Sequence, residues 1–234
     1  LGAPFDEDRV RRSLELYDLE FSTCVIQLKT TSKPGSELFF RFYSCGPRDL
    51  VQPAIDEGLI PRGEPLGELQ EEVLALHAPA MPGGLDFDCS HGLSKVWTFS
   101  GQPLPSRTIA RVGTLPASCR ERAGAFEEFG LDHVFYFASD VQKRSMNVYF
   151  YWDAACRTID WIQRFARWTG GPVPDAATCR DILAAQAVTS GIGLTVRHDR
   201  PDIERWSIYA FEVPLPRTAR RPCVLPALAP RIES

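Results

Sequence analysis

The chain has 234 residues, 44% of them apolar and 24% charged, with a formal net charge of −4 at pH 7. That apolar content buries one large core or two small ones, the lack of a basic field argues against nucleic acid, and no apolar run approaches the roughly 18 residues of a membrane span. Seven cysteines, at 24, 45, 89, 119, 156, 179 and 223, form no CxxC pair; this disfavours zinc or a disulfide framework and predicts reduced thiols in a cytoplasmic protein.

Asp6 to Asp18 reads as an amphipathic helix with Val10, Leu14 and Tyr17 on one face. Strands follow at Phe21–Lys29 and Glu37–Cys45, joined by a TTSKPGS turn. Helical segments are expected at Asp49–Glu57 and Leu66–His77, then strands at Leu85–Cys89 and Lys95–Ser100. The PLPS run reads as a loop leading to one helix from Pro116 to Phe129. Beyond it, GLDHVFYFASDVQKRSMNVYF, Gly130 to Phe150, predicts two strands around a polar turn. Helices at Ala155–Trp168 and Asp175–Ala187 and strands at Val188–Arg197 and Ile203–Val213 complete the series. The order is helices then a strand pair, four times over, and the short turns make each pair antiparallel. This predicts an α+β protein and excludes a doubly wound parallel sheet. Residues 1–213 read as one domain, and the proline- and arginine-rich stretch 214–234 as an irregular tail.

Successive side chains alternate across a strand, so each strand can be sorted into two faces. Met146, Val148 and Phe150 oppose Ser145, Asn147 and Tyr149, with Lys143 and Arg144 at the entrance. In the same way one face carries Lys29 in the first strand, Arg41 in the second and Lys95 with Trp97 in the fourth, and Arg205 with Tyr209 in the last. Long side chains snorkelling from a solvated face would explain any one of these cations. Their recurrence, with aromatic rings beside them, points instead to a cavity with a cationic end and an aromatic wall. Cations converge on phosphate, and aromatic faces stabilise a cation held away from water by roughly 0.5–2 kcal/mol per ring. An allylic isoprenoid diphosphate fits both ends.

The segments GSELFFRFYS, IDEGLIP, LSKVWTFSG, GLDHVFYFASDVQKRSMNVYF and IERWSIYAFEVP, in this order, resemble the soluble aromatic prenyltransferases of the ABBA barrel family. The branch most resembled contains the 4-hydroxyphenylpyruvate dimethylallyltransferases. The resemblance covers about Leu1 to Val213. It implies an antiparallel barrel of repeated helix–helix–strand–strand units, helices outside, with the site in the lumen. It implies Lys29, Arg41, Lys95, Lys143, Asn147 and Arg205 as diphosphate ligands, and Tyr149, Tyr209 and Trp97 as the shield of the allylic cation. It further implies an allylic diphosphate and a small aromatic acceptor as partners, with no cofactor. Phe39 stands where the magnesium-dependent branch has an aspartate, which implies metal-independent electrophilic aromatic substitution.

Two departures from the family pattern bear on this reading. Phe135 stands where the magnesium-independent relatives carry an arginine, so one diphosphate contact is absent. Eight strands are legible where family barrels have ten, so either these residues are a fragment of a longer protein or the barrel is open; an open or incompletely closed barrel is expected in them, with Phe21–Lys29 and Ile203–Val213 as edges. Such edges attract other strands and suit a homodimer. The alternative reading is a non-catalytic open barrel that binds a small aromatic or isoprenoid ligand, or a protein through its sheet edge. His77, His91, His133 and His198 lack metal-ligand spacing, and the stretch Asp86 to His91 reads as a mixed polar strand end. Trp152, Trp161 and Trp168 are expected to pack helix against sheet.

Overall fold

The computed structural model describes residues 6–17, 25–30, 36–43, 51–60, 72, 83–185 and 189–211. The expected helix at Leu66–His77 (Glu72 apart), the residues before Val25 in the first strand and the tail 214–234 lie outside them. Eight strands form a single sheet: β1 Val25–Thr30, β2 Ser36–Tyr43, β3 Gly83–Asp88, β4 Gly92–Pro105, β5 His133–Asp140, β6 Ser145–Tyr151, β7 Thr189–Arg197 and β8 Ile203–Phe211. Their order in the sheet is their order in the chain, and every neighbouring pair is antiparallel. The expected α+β class and antiparallel pairing are therefore observed. Among the described residues β1 and β8 are not paired with one another and form the two edges.

Three of the helices begin on a side-chain cap. In α1, Glu7–Leu16, the Asp6 carboxylate accepts from the Arg9 N–H at 3.1 Å, with Glu7 and Asp8 in the first turn. Helix α2 spans Val51–Asp56. The single helix expected over Pro116–Phe129 is instead two, α3 Ala117–Arg120 and α4 Ala123–Glu128. The break falls at Arg122, whose backbone (φ −95°, ψ 3°) leaves the helical range. Both halves then turn inward, burying Cys119, Ala123 and Phe126 in one core. Helix α5, Ile159–Thr169, starts on the Thr158 hydroxyl and stops at Gly170, whose φ of +74° is a left-handed cap. Helix α6, Ala176–Ala184, starts on Asp175.

PLPS is not a loop. Residues Pro103 to Pro105 end β4, where pairing with β5 resumes at Leu104↔Val134 after an irregularity from Phe99, and a 3₁₀ turn begins at Ser106. Tertiary pairing overrides the local proline signal here.

The sheet is apolar on one side. Phe137, Met146, Val148, Phe150, Ile192, Leu194 and Val196 pack against Phe126, Phe129, Trp161, Ile162 and Phe165 of the helices. Trp152 and Trp161 lie in this core with Trp168 packed on it, the structural role expected of the three tryptophans. A second core joins Tyr17, Ala54 and Ile60 to Leu85, Phe87 and Val96. With one side of the sheet occupied by these cores, its other side is left for polar and aromatic residues.

Bulges decide which residues reach that other side. Phe87 pairs with Leu93 but Asp86 with Lys95, so Ser94 is an extra residue. It lets Leu93 join the core while Lys95 turns to the opposite face, and its hydroxyl donates to the Asp86 carbonyl at 3.0 Å. Phe135 and Glu204 are extra residues in the same sense, between Val134 and Tyr136 in β5 and between Ile203 and Arg205 in β8. Each adds local twist and bends its strand.

Candidate active site

Register carries one set of residues across the non-core face. Arg41 pairs with Asp86, Asp86 with Lys95, and Lys95 with Asp140. Beside this row runs Trp97, Ala138, Asn147, Thr195 and Arg205. The next contains Tyr136, Tyr149, Gly193 and Ser207, and Tyr209 follows opposite Gly191.

The cationic end is built around Arg41. Its Nε and Nη2 donate to the two Asp86 carboxylate oxygens at 2.5 and 2.7 Å, a fork-to-fork pair in which Asp86 is 7% and Arg41 18% exposed. The guanidinium carbon lies 4.4 Å from the centre of the Trp97 ring, and the Lys95 ammonium 6.0 Å from it. The indole thus has cations over its ring. It also stacks on Tyr149, with centroids 5.4 Å apart. Tyr149 in turn meets Tyr209 at 5.4 Å and Tyr136 at 6.4 Å. A continuous aromatic surface runs from the cations of β2 and β4 to β8.

Burial pushes the Tyr149 phenol well above its ordinary range; the neighbouring Tyr209 raises it further and the Arg41 charge opposes only part of this. The phenol is neutral at physiological pH. A hydrogen-bonded chain lies beside it: Arg205 Nε donates to the Thr195 hydroxyl at 3.1 Å, which donates to Asn147 Oδ1 at 2.6 Å. Asn147 and Thr195 are buried, whereas Arg205 is exposed.

Arg41, Lys95, Trp97, Asn147, Tyr149, Arg205 and Tyr209 therefore occupy the face that strand alternation selects. Lys29 pairs in register with Glu37, and its side chain lies outside the described residues. Lys143 is not brought to the strand face. It sits in the β5–β6 turn, 73% exposed, with its ammonium 3.7 Å from Asp140. Phe135, at the arginine position of the resembled branch, packs on Tyr136 and Tyr151.

The stretch Asp86–His91 is the mixed polar strand end expected, running from the end of β3 into the β3–β4 turn. Asp88 and His91 do close the β3–β4 turn: Asp88 accepts from the Ser90 and His91 N–H groups. Burial alone would raise the Asp88 carboxyl, but these bonds and the His91 ring bring it below its usual value. Asp86, however, belongs to the cationic site. Tyr136, Ala138, Asp140, Gly193 and Thr195 also lie on this face and are not singled out by the sequence. The signal for two of them was present: Gly191, Gly193 and Thr195 alternate with Ile192, Leu194 and Val196 along β7.

Among the described residues no group of His, Cys, Asp and Glu could hold a metal ion, and no helix is long and apolar enough to cross a membrane. The family described as aromatic prenyltransferase Orf2 matches the chain over residues 1–234. The chain belongs to this family of aromatic prenyltransferases, enzymes that transfer a prenyl group to an aromatic acceptor. It is 31% identical over 222 residues to the 4-hydroxyphenylpyruvate 3-dimethylallyltransferase of Streptomyces niveus, spanning 95% of this chain and 68% of that protein. It is 30% identical over 240 residues to an aromatic prenyltransferase of Sclerotinia sclerotiorum, spanning 100% of this chain and 75% of the relative. A furaquinocin biosynthesis prenyltransferase of Streptomyces is 24% identical over 204 residues, 86% of this chain and 64% of the relative.

Proposed function

We propose that this enzyme transfers a dimethylallyl or longer prenyl group from an allylic diphosphate to an electron-rich aromatic small molecule of secondary metabolism, by metal-independent electrophilic aromatic substitution. The observation that carries this reading is the contact between the two ends of the site: Arg41 and Lys95 border Trp97, and Trp97 continues through Tyr149 to Tyr209. A diphosphate at the first end and an allylic chain along the second match both chemistries.

In the proposed reaction the allylic carbon–oxygen bond breaks heterolytically, leaving its electron pair on the diphosphate. Arg41, Lys95, Lys29 and Arg205, with Asn147 and the more peripheral Lys143, stabilise that departing charge. Charges fixed in place before the bond breaks need no reorganisation as it does, which is why such preorganisation usually lowers a barrier more than any other single effect. Phe39 offers no oxygen to a metal ion, so the side-chain cations carry this task. Trp97, Tyr149 and Tyr209 present π faces to the allylic cation. Because Tyr149 stays a neutral phenol, it shields the cation without offering a phenolate oxygen to alkylate. The aromatic acceptor attacks the allylic carbon, and its ring proton leaves to water or to the released diphosphate.

The polar face is read as the lumen of a barrel of helix–helix–strand–strand units, curved by the three bulges, with β1 and β8 as edges at which a second copy would pair. The test is mass detection of prenylated products from dimethylallyl and geranyl diphosphates with phenols, naphthols, phenazines and indoles, run in parallel with magnesium and with excess chelator. Rates within about twofold of each other are expected. A strict magnesium requirement would remove the metal-independent mechanism.

A further inference from the structure

Two tyrosines of the polar face share one backbone site. Gly193, in the middle of β7, pairs with Tyr149 on one side and Ser207 on the other, and Tyr209 lies one register step away opposite Gly191. A Cβ built on Gly193 would stand 2.6 Å from Tyr209 Cε2 and 3.1 Å from Tyr149 Cε1. The first separation is one that real side chains do not adopt, and the second is tight. Gly193 is not among the glycines with positive φ, which are Gly58, Gly92, Gly130 and Gly170. Its backbone would accept any residue, and a glycine inside a strand is otherwise unfavourable. What excludes a side chain at 193 is the pair of rings lying on it.

The rings stand at different distances from position 193. Tyr149 is held between Trp97, stacked at 5.4 Å, and Tyr136, edge-on at 6.4 Å. Tyr209, on β8, meets Tyr149 at 5.4 Å and shares a hydrogen bond with its phenol, and its Cε2 is the atom nearest to position 193. A methyl group at 193 would therefore displace Tyr209, away from β7 and into the space above the face.

We propose that Gly193 is a specificity-determining residue: by lacking a side chain it lets Tyr209 lie down against β7 beside Tyr149, and the depth so left sets the length of prenyl chain the site accepts. The inference rests on the reading of this face as the prenyl donor site. A side chain at 193 lifts Tyr209 and shortens the site, whereas removal of the Tyr209 ring deepens it.

The test is calorimetric binding of unreactive dimethylallyl and geranyl thiolodiphosphates to the full chain and to Gly193→Ala, Tyr209→Ala and the double variant, each checked by thermal melting. Gly193→Ala should weaken the geranyl analogue at least about fivefold relative to the dimethylallyl one. Tyr209→Ala should shift that ratio the other way. In the Tyr209→Ala background Gly193→Ala should change the ratio less than about twofold, because the methyl has no ring to strike; this is a coupling that a double-mutant cycle isolates. Equal shifts in both backgrounds, or no shift in either, would overturn the proposal. If Gly193→Ala does not fold, an unchanged ratio in Tyr209→Ala overturns it equally. Failure of the parent chain to bind either analogue would instead remove the donor-site reading on which the inference stands.

Discussion

Replacing Asp86 by Ala removes the carboxylate that holds both Nε and Nη2 of Arg41. Removing one partner of a buried ion pair costs about 3–5 kcal/mol, because a charge is stranded. Arg41 keeps 18% exposure and the Trp97 face at 4.4 Å, so water and the ring recover part of that cost. About 1–3 kcal/mol remains. In a domain of this size that lowers Tm by about 2–12 °C. The kinetic effect should be divided unequally. A freed guanidinium still attracts diphosphate, so KM for the donor changes little. It is no longer fixed where charge develops, so kcat should fall about 10- to 100-fold, equivalent to about 1.4–2.7 kcal/mol in the barrier. Asp86→Asn keeps the shape, accepts one bond and should fall between the two. Steady-state kinetics with dimethylallyl diphosphate and a phenolic acceptor, paired with thermal melts, reads both quantities. A kcat within twofold of the parent, at a lowered Tm, would refute the argument and leave the pair a purely structural one.

Three further outcomes follow from the same geometry. Arg205→Ala should weaken allylic diphosphate binding about tenfold with little change in Tm, since charge-assisted bonds to phosphate are strong while Arg205 is exposed; a large Tm loss with unchanged binding per folded molecule would make it a structural partner of Thr195. The folded-state pKa of Tyr149 is raised above the unfolded value of about 10, so its contribution to stability is full below that pH and is lost as pH rises toward the folded value. Melts between pH 8 and 12 should show this alkaline loss, and Tyr149→Phe should diminish it. Activity should survive excess chelator, measured as product formed per minute with and without magnesium.

Much of this architecture is legible in the sequence because its strands obey period 2. Met146, Val148 and Phe150 against Ser145, Asn147 and Tyr149 read correctly without any structure, and so do Trp97, Arg205 and Tyr209. Where the period slips, the reading fails. The bulge at Ser94 brings Asp86 opposite Lys95, a pairing that no spacing within either strand discloses, so Asp86 passed as part of a polar strand end. PLPS carried a loop signal that pairing with β5 overrode, and the break at Arg122 left no proline or glycine mark at that residue. Lys143, read at the entrance to the face, lies in the β5–β6 turn with its ammonium 3.7 Å from Asp140. Gly193 was visible as a glycine, yet its meaning depends on two rings from β6 and β8 that only the sheet brings together.

The most direct test of the central claim is a crystal structure of the full chain with dimethylallyl thiolodiphosphate bound. The account predicts phosphate oxygens within hydrogen-bond distance of Arg41, Lys95 and Arg205, and the prenyl chain against Trp97, Tyr149 and Tyr209. A diphosphate bound elsewhere, with this face unoccupied, would contradict it.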